Sequence, residues 1–407
     1  MIFSRIDRVL LSLCIAGSII FLCSHPLKAD QFGPQSDEGY YYHYSNLVVQ
    51  KGNKAFKELA LWYATSNEAH KHPAPLRAGY ILLTAGLFKI FGPSYSLLGL
   101  VSTASFLLFL AVCFYYSRKH FGWDIALLFT LFLSSSPLML GLSRRALLDS
   151  PINFLWGLAV WLFLDLLSYP ALWKYALFIL TLCFSITVKE MSVVLIPFFV
   201  LTGVWGCFKG RPVKVWQILG LIFIPAFVVL FFYAWVLGGL EPLRLVAIGV
   251  FKTHFDVQHP NPYAVYFCSG PWFRYVLDFL LLIPVVTLLF IGYCFVFVCE
   301  REAVDWKQKY FLAYFVFIYA VMNSLVNSKV VRVVVNLEMV MALFAVFMLM
   351  RLSMRYPAEK RKMGLLFMAF AIFVVNLDGF LRLFYFSGLL DPISYHLLVL
   401  RSFIPSH

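Results

Sequence analysis

Charged residues are scarce in this chain. They make up 13% of its 407 residues, where a soluble domain carries about 25%. Acids are scarcer than bases, 20 Asp and Glu against 33 Lys and Arg, so the formal charge is +13. In a soluble protein that excess would point to nucleic acid. Here the basic residues sit mostly between apolar runs, the pattern of loops facing cytoplasm and anionic lipid. A nucleic-acid partner is therefore excluded. No cysteine framework exists either. Of eight cysteines, Cys14, Cys23, Cys113, Cys183, Cys207, Cys294 and Cys299 lie in or at the ends of apolar runs, and only Cys268 lies in a long polar stretch. No disulfide scheme or paired C-x-x-C metal spacing can be drawn, and the thiols read as small hydrophobes. The phosphate-binding glycine loop, the dinucleotide fingerprint, G-x-S-x-G and H-E-x-x-H are all missing. No internal repeat of solenoid or transporter type is evident.

Apolar residues are abundant. They form 62% of the chain, with 43 Phe and 22 Tyr, and mean hydropathy is +0.83. A bilayer-crossing helix needs about 20 apolar residues. Candidate spans are 9–25, 95–117, 124–142, 151–168, 174–188, 191–208, 215–237, 276–298, 310–326, 333–350 and 363–380. The expected fold is all-α: a polytopic bundle of about eleven spans, forming a single membrane domain over 1–407. Arg5 and Arg8 precede the first run, and Leu27-Lys28-Ala29 resembles a cleavage site. We read the run as a retained first helix, because the loop after it depends on it.

Residues 76–92 are apolar but short, flanked by Arg77 and Lys89 and closed by Phe91-Gly92-Pro93. They read as an interfacial helix. With this stretch left out of the count and the N-terminus inside, the inner segments hold about twice as many basic residues as the short outer loops. The inner ones are Arg5 and Arg8; Arg118 and Lys119; Lys174; Lys209, Arg211 and Lys214; Arg301, Lys307 and Lys309; and Arg351, Arg355, Lys360, Arg361 and Lys362. Residues 26–94, 143–150, 238–275 and the C-terminal tail then lie outside. The first outer segment carries two short amphipathic stretches, near 39–50 and 54–64, of the juxtamembrane kind. Long ordered loops between spans usually carry function.

The outer segments hold the candidate chemistry. Asp37-Glu38 follows the first span; one carboxylate aimed at a reacting centre can act as general base, while the plain reading is a solvated loop acid. His72-Pro73-Ala74-Pro75-Leu76 opens the short helix, where proline is well placed. His72, with Arg77 beside it, would position an acceptor or anchor the helix at the interface. Ser143-Arg144-Arg145-Ala146-Leu147-Leu148-Asp149-Ser150-Pro151 puts two arginines and an acid at a membrane edge, which is costly without a purpose. Arginine forks onto phosphate oxygens. Lys189-Glu190 breaks an apolar stretch, and Lys329 and Arg332 end another pair of spans. Each of these cations would neutralise a lipid phosphate or snorkel to headgroups. His254 and Asp256 have the spacing of a metal pair without a third ligand. No cofactor is therefore demanded, although a divalent metal is compatible.

With no nucleotide motif, the chemistry must use a substrate already activated. A polyprenyl-phosphate sugar fits: its activation lies in the glycosyl phosphate, and its tail needs an apolar groove between helices. A transporter of lipid-linked sugar would place ionisable groups at mid-span and break its helices there. A glycan polymerase or ligase would place its key arginines and histidines in a large late loop, and 238–275 keeps that alternative open.

Asp37-Glu38, the His-Pro-x-Pro-Leu entry, the Phe-Gly that ends the short helix and the Arg-Arg-x-Leu-Leu-Asp-Ser-Pro segment occur in an order that resembles the GT-C superfamily. The likeness is to dolichyl-phosphate-mannose–protein mannosyltransferases and bacterial aminoarabinose transferases that modify lipid A. It covers about residues 1–210, expected as the catalytic module, and more loosely the helices and outer loop of 211–407. The resemblance implies an inverting transfer with Asp37 as general base, Glu38 supporting it, Asp149 as the second-loop acid, and Arg144, Arg145 and Lys189 on the donor phosphate. His-Pro-Ala-Pro departs mildly from the commoner His-Pro-Pro. The chain ends at His407 without a large soluble domain, which favours a bacterial member with a lipid or glycan acceptor. The expectation is a monomer in the bacterial inner membrane, its site facing the periplasm or exterior. Asp391 to His396 has no role readable from the residues.

Overall fold

The structure, a computed structural model, describes residues 2–24, 36–66, 73–255, 270–300, 304–325 and 329–386. Every regular element among them is a helix. His72, Asp256, His259, Cys268 and the 391–396 segment lie outside the described residues, as does the side chain of His254.

Each predicted span is helical, but not all are full spans. Among the described residues six helices are long and apolar enough alone: α1 (Arg5–Ser24), α5 (Tyr95–Phe121), α8 (Asp149–Ser168), the run Glu190–Phe208 that ends in α10 (Leu195–Phe208), α11 (Val215–Leu237) and the run Lys360–Tyr385, formed by α17 (Ala358–Phe380) and its closing turn. The predicted span 124–142 is instead two helices, α6 (Trp123–Ser135) and α7 (Pro137–Ser143), bent by 61°. Proline disfavours helical geometry in the residue before it, and Ser136 duly leaves the helix, its hydroxyl capping the Met139 amide at 3.2 Å. The span 276–298 likewise breaks at Ile283, before Pro284, into α13 (Arg274–Leu282) and α14 (Pro284–Cys299). The remaining predicted spans are α9 (Leu172–Val188), α15 (Trp306–Ser324) and α16 (Leu337–Ser353). The predicted polytopic all-α bundle is thus present; among the described residues six helices, or seven with the bent pair, are long and apolar enough to cross a bilayer alone, and the other predicted spans are shorter or less apolar helices.

The first outer segment forms α2 (Asp37–Lys51), α3 (Lys54–Thr65) and α4 (Ala78–Phe91). With 14 residues, α4 is about 21 Å long, short of the roughly 30 Å of bilayer hydrocarbon. The predicted outer loop 238–275 is not irregular throughout. Its first part is a helix, α12 (Leu240–Phe255), which packs on α3 and α11. Tyr44, Phe56, Tyr63, Tyr233 and Val246 form a small core there, separate from the main one.

The spine of the bundle is α8. Its apolar stretch is 89% buried, so protein surrounds it where other spans face lipid. It carries an acid at each end, Asp149 and Asp165, about 24 Å apart at the rise of a helix. Asp165 is bound by Lys119 at 2.5 Å and Lys174 at 2.7 Å. Arg8 pairs with Asp124, Lys362 with Asp7, and Arg351 with Glu300. Among the described residues, these contacts join only segments predicted to lie inside. Those of Asp149 and its neighbours join only segments predicted to lie outside.

Candidate active site

Carboxylates gather at one polar end because helices begin there. The Ser36 hydroxyl accepts from the Gly39 amide at 3.3 Å and caps α2, which places Asp37 and Glu38 in its first turn. Asp149 is the first residue of α8. Negative charge is favoured at a helix start, where amides are unpaired and the dipole is positive. Lys189 stands in extended backbone (φ −148°, ψ 118°) between α9 and a short turn, Glu190–Val194. That break turns Lys189 out of the helical path and onto Asp149.

Four ion pairs result. Arg332, from the turn Val331–Val334, donates to Asp37 Oδ2 at 2.8 Å. Arg145 reaches Glu38 Oε1 through Nη2 at 2.5 Å and Nε at 2.7 Å. Lys189 Nζ lies 3.3 Å from Asp149 Oδ1. Arg77 lies 3.5 Å from Glu190 Oε1 and also donates to the Tyr41 hydroxyl. The two outer segments therefore meet, through Glu38 and Arg145. The cluster also draws Arg332 from beyond residues 1–210, where the catalytic module was expected.

The pairs differ in openness. Side-chain exposure is 35% for Asp37 and 28% for Arg332, against 1% for Glu38 and 6% for Asp149. Burial works to raise the Asp37 carboxyl, but the charges of Arg332, Arg77 and Arg145 overcome it and hold the group below its ordinary value. Lys189 is pushed down, first by burial and then by Arg77 and Arg332, with Asp149 opposing. Asp37 is consequently an anion in an electropositive setting, and Lys189 a cation that gains from added negative charge.

Two narrow clefts adjoin the cluster, with room for about one water at most. Both are lined by Asn153 and Val335; Lys189 opens onto the first and Asp149 onto the second. Trp156, Met191 and Met322 make the first largely apolar. The side-chain oxygens of Asn153 and Asn336 are buried there without a hydrogen-bond partner.

Asp37, Glu38, Asp149, Arg145, Lys189, Arg332 and Arg77 thus belong to one cluster. Arg144 and Lys329 do not reach its carboxylates in these pairs. Arg144 stacks over Phe380 at 5.7 Å and Tyr385 at 5.4 Å, and Lys329 donates to the Gly270 carbonyl at 2.6 Å. Glu190, Tyr41 and Asn153 went unassigned from sequence. Glu190 had a signal, since it sits beside Lys189 in an apolar stretch; the other two are a tyrosine among many and an asparagine inside a span. Among the described residues no three His, Cys, Asp or Glu side chains are grouped to hold a metal.

No family model matches the chain, and no curated protein matches its sequence. Solved structures do match. The chain is similar to ArnT from Cupriavidus metallidurans in the apo state, at 16% identity and TM-score 0.53, over 95% of this chain and 74% of that one. Its likeness to the same protein bound to undecaprenyl phosphate has 14% identity and TM-score 0.54, over 96% and 77%. ArnT is an aminoarabinose transferase and a GT-C enzyme. At such identities the likeness establishes the fold alone: this chain is a polytopic all-α membrane protein with a fold like that of ArnT.

Proposed function

We propose that this protein is an inverting glycosyltransferase, moving a sugar from a polyprenyl-phosphate donor to a lipid or glycan acceptor on the outer face of a bacterial inner membrane. One observation carries the reading: Asp37 and Arg332 form the most open pair of a cluster that contains four carboxylates and four cations. Transfer from a glycosyl phosphate needs a base for the acceptor hydroxyl and cations for the phosphate that leaves. Asp37 takes the first role, with Glu38, fixed by Arg145, shaping the turn that carries it. Arg332 and Lys189 take the second, and Arg145 borders them. Asp149 orients Lys189. Arg77, tied to Tyr41 and Glu190, positions the start of α4 and the acceptor side; His72 is assigned to the same side. The likeness to a protein solved with undecaprenyl phosphate supports a lipid-phosphate partner. The reading requires no metal; the chain works as a monomer.

In the step itself, the acceptor oxygen attacks the anomeric carbon from the face opposite the phosphate. Its proton passes to Asp37 as the bond to the phosphate oxygen breaks, and polyprenyl phosphate departs with the added negative charge. The test is incubation of the purified protein in lipid with a labelled undecaprenyl-phosphate sugar and a total lipid extract as acceptor. New labelled glycolipid is expected; transport of the donor across the vesicle membrane with no new product would contradict the reading.

A further inference from the structure

All four cations named in the cluster face a carboxylate: Arg332 faces Asp37, Arg145 faces Glu38, Lys189 faces Asp149 and Arg77 faces Glu190. Four positive and four negative charges balance. A donor phosphodiester brings one more negative charge and competes with these carboxylates for the cations. The pairs are unequal in what that costs. Glu38 and Asp149 are buried at 1% and 6% side-chain exposure, and stripping their partners would leave uncompensated buried charge. Asp37 and Arg332, at 35% and 28%, are the least enclosed of these side chains, so separating them leaves less buried charge uncompensated. Arg332 also lies on a short turn immediately before Val333 and Val335, which line the clefts beside Lys189 and Asp149. Lys189 feels the charge of Arg332, so an anion drawn to one cation is drawn to the other.

We infer that the donor phosphate takes Arg332 from Asp37, so that donor binding itself converts Asp37 from an ion-pair partner into a competent base. This deepens the glycosyltransferase reading and rests on it. Arg332 then serves two groups in turn: first the carboxylate, which it keeps ionised and unreactive, and then the phosphate, whose departing charge it stabilises. The other groups that act on Asp37 stay where they are. Arg77 and Arg145 remain neutralised by Glu190 and Glu38, and Tyr40, Tyr41 and Tyr44 of α2 remain neutral phenols around it. The proton balance closes: the acceptor loses its proton to Asp37, the anomeric carbon–phosphate oxygen bond breaks, and the phosphate leaves carrying one further negative charge beside Arg332 and Lys189. An order of events follows, with donor bound before the acceptor hydroxyl can be activated.

The exchange is readable without turnover. Carbodiimide labels protonated carboxyls, so the pH at which the Asp37 peptide is half-labelled, followed by mass spectrometry on the full-length protein in lipid nanodiscs, reports how strongly Asp37 holds a proton. Undecaprenyl phosphate is the probe and undecaprenol the phosphate-free control. The labelling midpoint is expected to rise by about one to two pH units with the phosphate and not with the alcohol. Arg332→Gln is expected to start at the raised midpoint and to show no further rise, while Arg332→Lys keeps the response. Undecaprenyl phosphate that binds, by native mass spectrometry, yet leaves the midpoint unchanged overturns the handover and leaves the glycosyltransferase reading standing. Absence of undecaprenyl phosphate binding overturns that reading and the handover with it. A native midpoint in folded Arg332→Gln overturns the handover regardless of lipid.

Discussion

Arg145 grips Glu38 with two nitrogens, at 2.5 and 2.7 Å, and thereby ties the link before α8 to the first turn of α2. Glu38 is buried at 1% side-chain exposure, so the pair is structural before it is chemical. Removing one partner from such a pair costs about 3–5 kcal/mol, because a buried charge is left alone. Arg145→Leu is expected to lower the thermal midpoint in detergent substantially. Glu38→Gln with Arg145→Leu should be less damaging than the sum of the two single changes.

Acidification should expose the Asp37–Arg332 pair in the donor-free protein. The folded-state carboxyl lies below its ordinary value, on balance of burial raising it and Arg332, Arg77 and Arg145 lowering it. The stability it contributes is then present above the ordinary carboxylate range, near pH 4, and is lost as pH falls through the depressed folded value. Thermal midpoints of wild type and Asp37→Asn, measured across pH, should differ above that range and converge as pH falls. A gap that widens on acidification would contradict the assignment.

At the opposite end of the spine, Asp165 is held by Lys119 and Lys174 and lies 3.3 Å from His120 Nε2. Its side-chain exposure is 2%. Asp165→Ala is expected to cost about 3–5 kcal/mol of stability through two stranded lysines. Donor affinity of the surviving folded fraction, measured by lipid binding, should be unchanged, since about 24 Å of helix separates Asp165 from Asp149.

Gly79 marks a close crossing between α4 and the end of α9. A Cβ there would come within 2.9 Å of the Thr187 backbone carbonyl carbon, and backbone cannot swing aside. Gly79→Ala is expected to cost about 1–3 kcal/mol by overpacking. It should also displace Arg77 and Lys189, which flank the crossing two residues away on either chain segment. Transfer rate should fall more than folded yield, assayed on the same preparation.

Helix positions were largely legible from apolar runs, because bilayer crossing imposes length and composition together. Apolar runs do not show the breaks, although Pro137 and Pro284 mark them. A window of hydropathy averages over a proline, whereas the backbone before it does not. Helix α12 was passed over for a related reason. Glu241, Pro242 and Arg244 dilute its hydropathy, but Val246 and Val250 recur at helical spacing and are the residues it buries. The acids of the site could be picked out because charge at a membrane edge is costly. Their partners could not, since Arg332 and Asp37 are 295 residues apart in sequence. Arg144 and Arg145 show the same limit: neighbours in a turn point apart, one to Glu38 and one to Phe380 and Tyr385.

The base assignment is the centre of the account, and one substitution bears on it most directly. Asp37→Asn keeps shape and removes the proton acceptor; loss of a general base lowers rate by about 10²–10⁴-fold. Transfer by the purified variant from a defined undecaprenyl-phosphate sugar should fall to that extent, with donor binding retained and the helical fold intact by circular dichroism. Native turnover by Asp37→Asn under the same conditions would contradict the account.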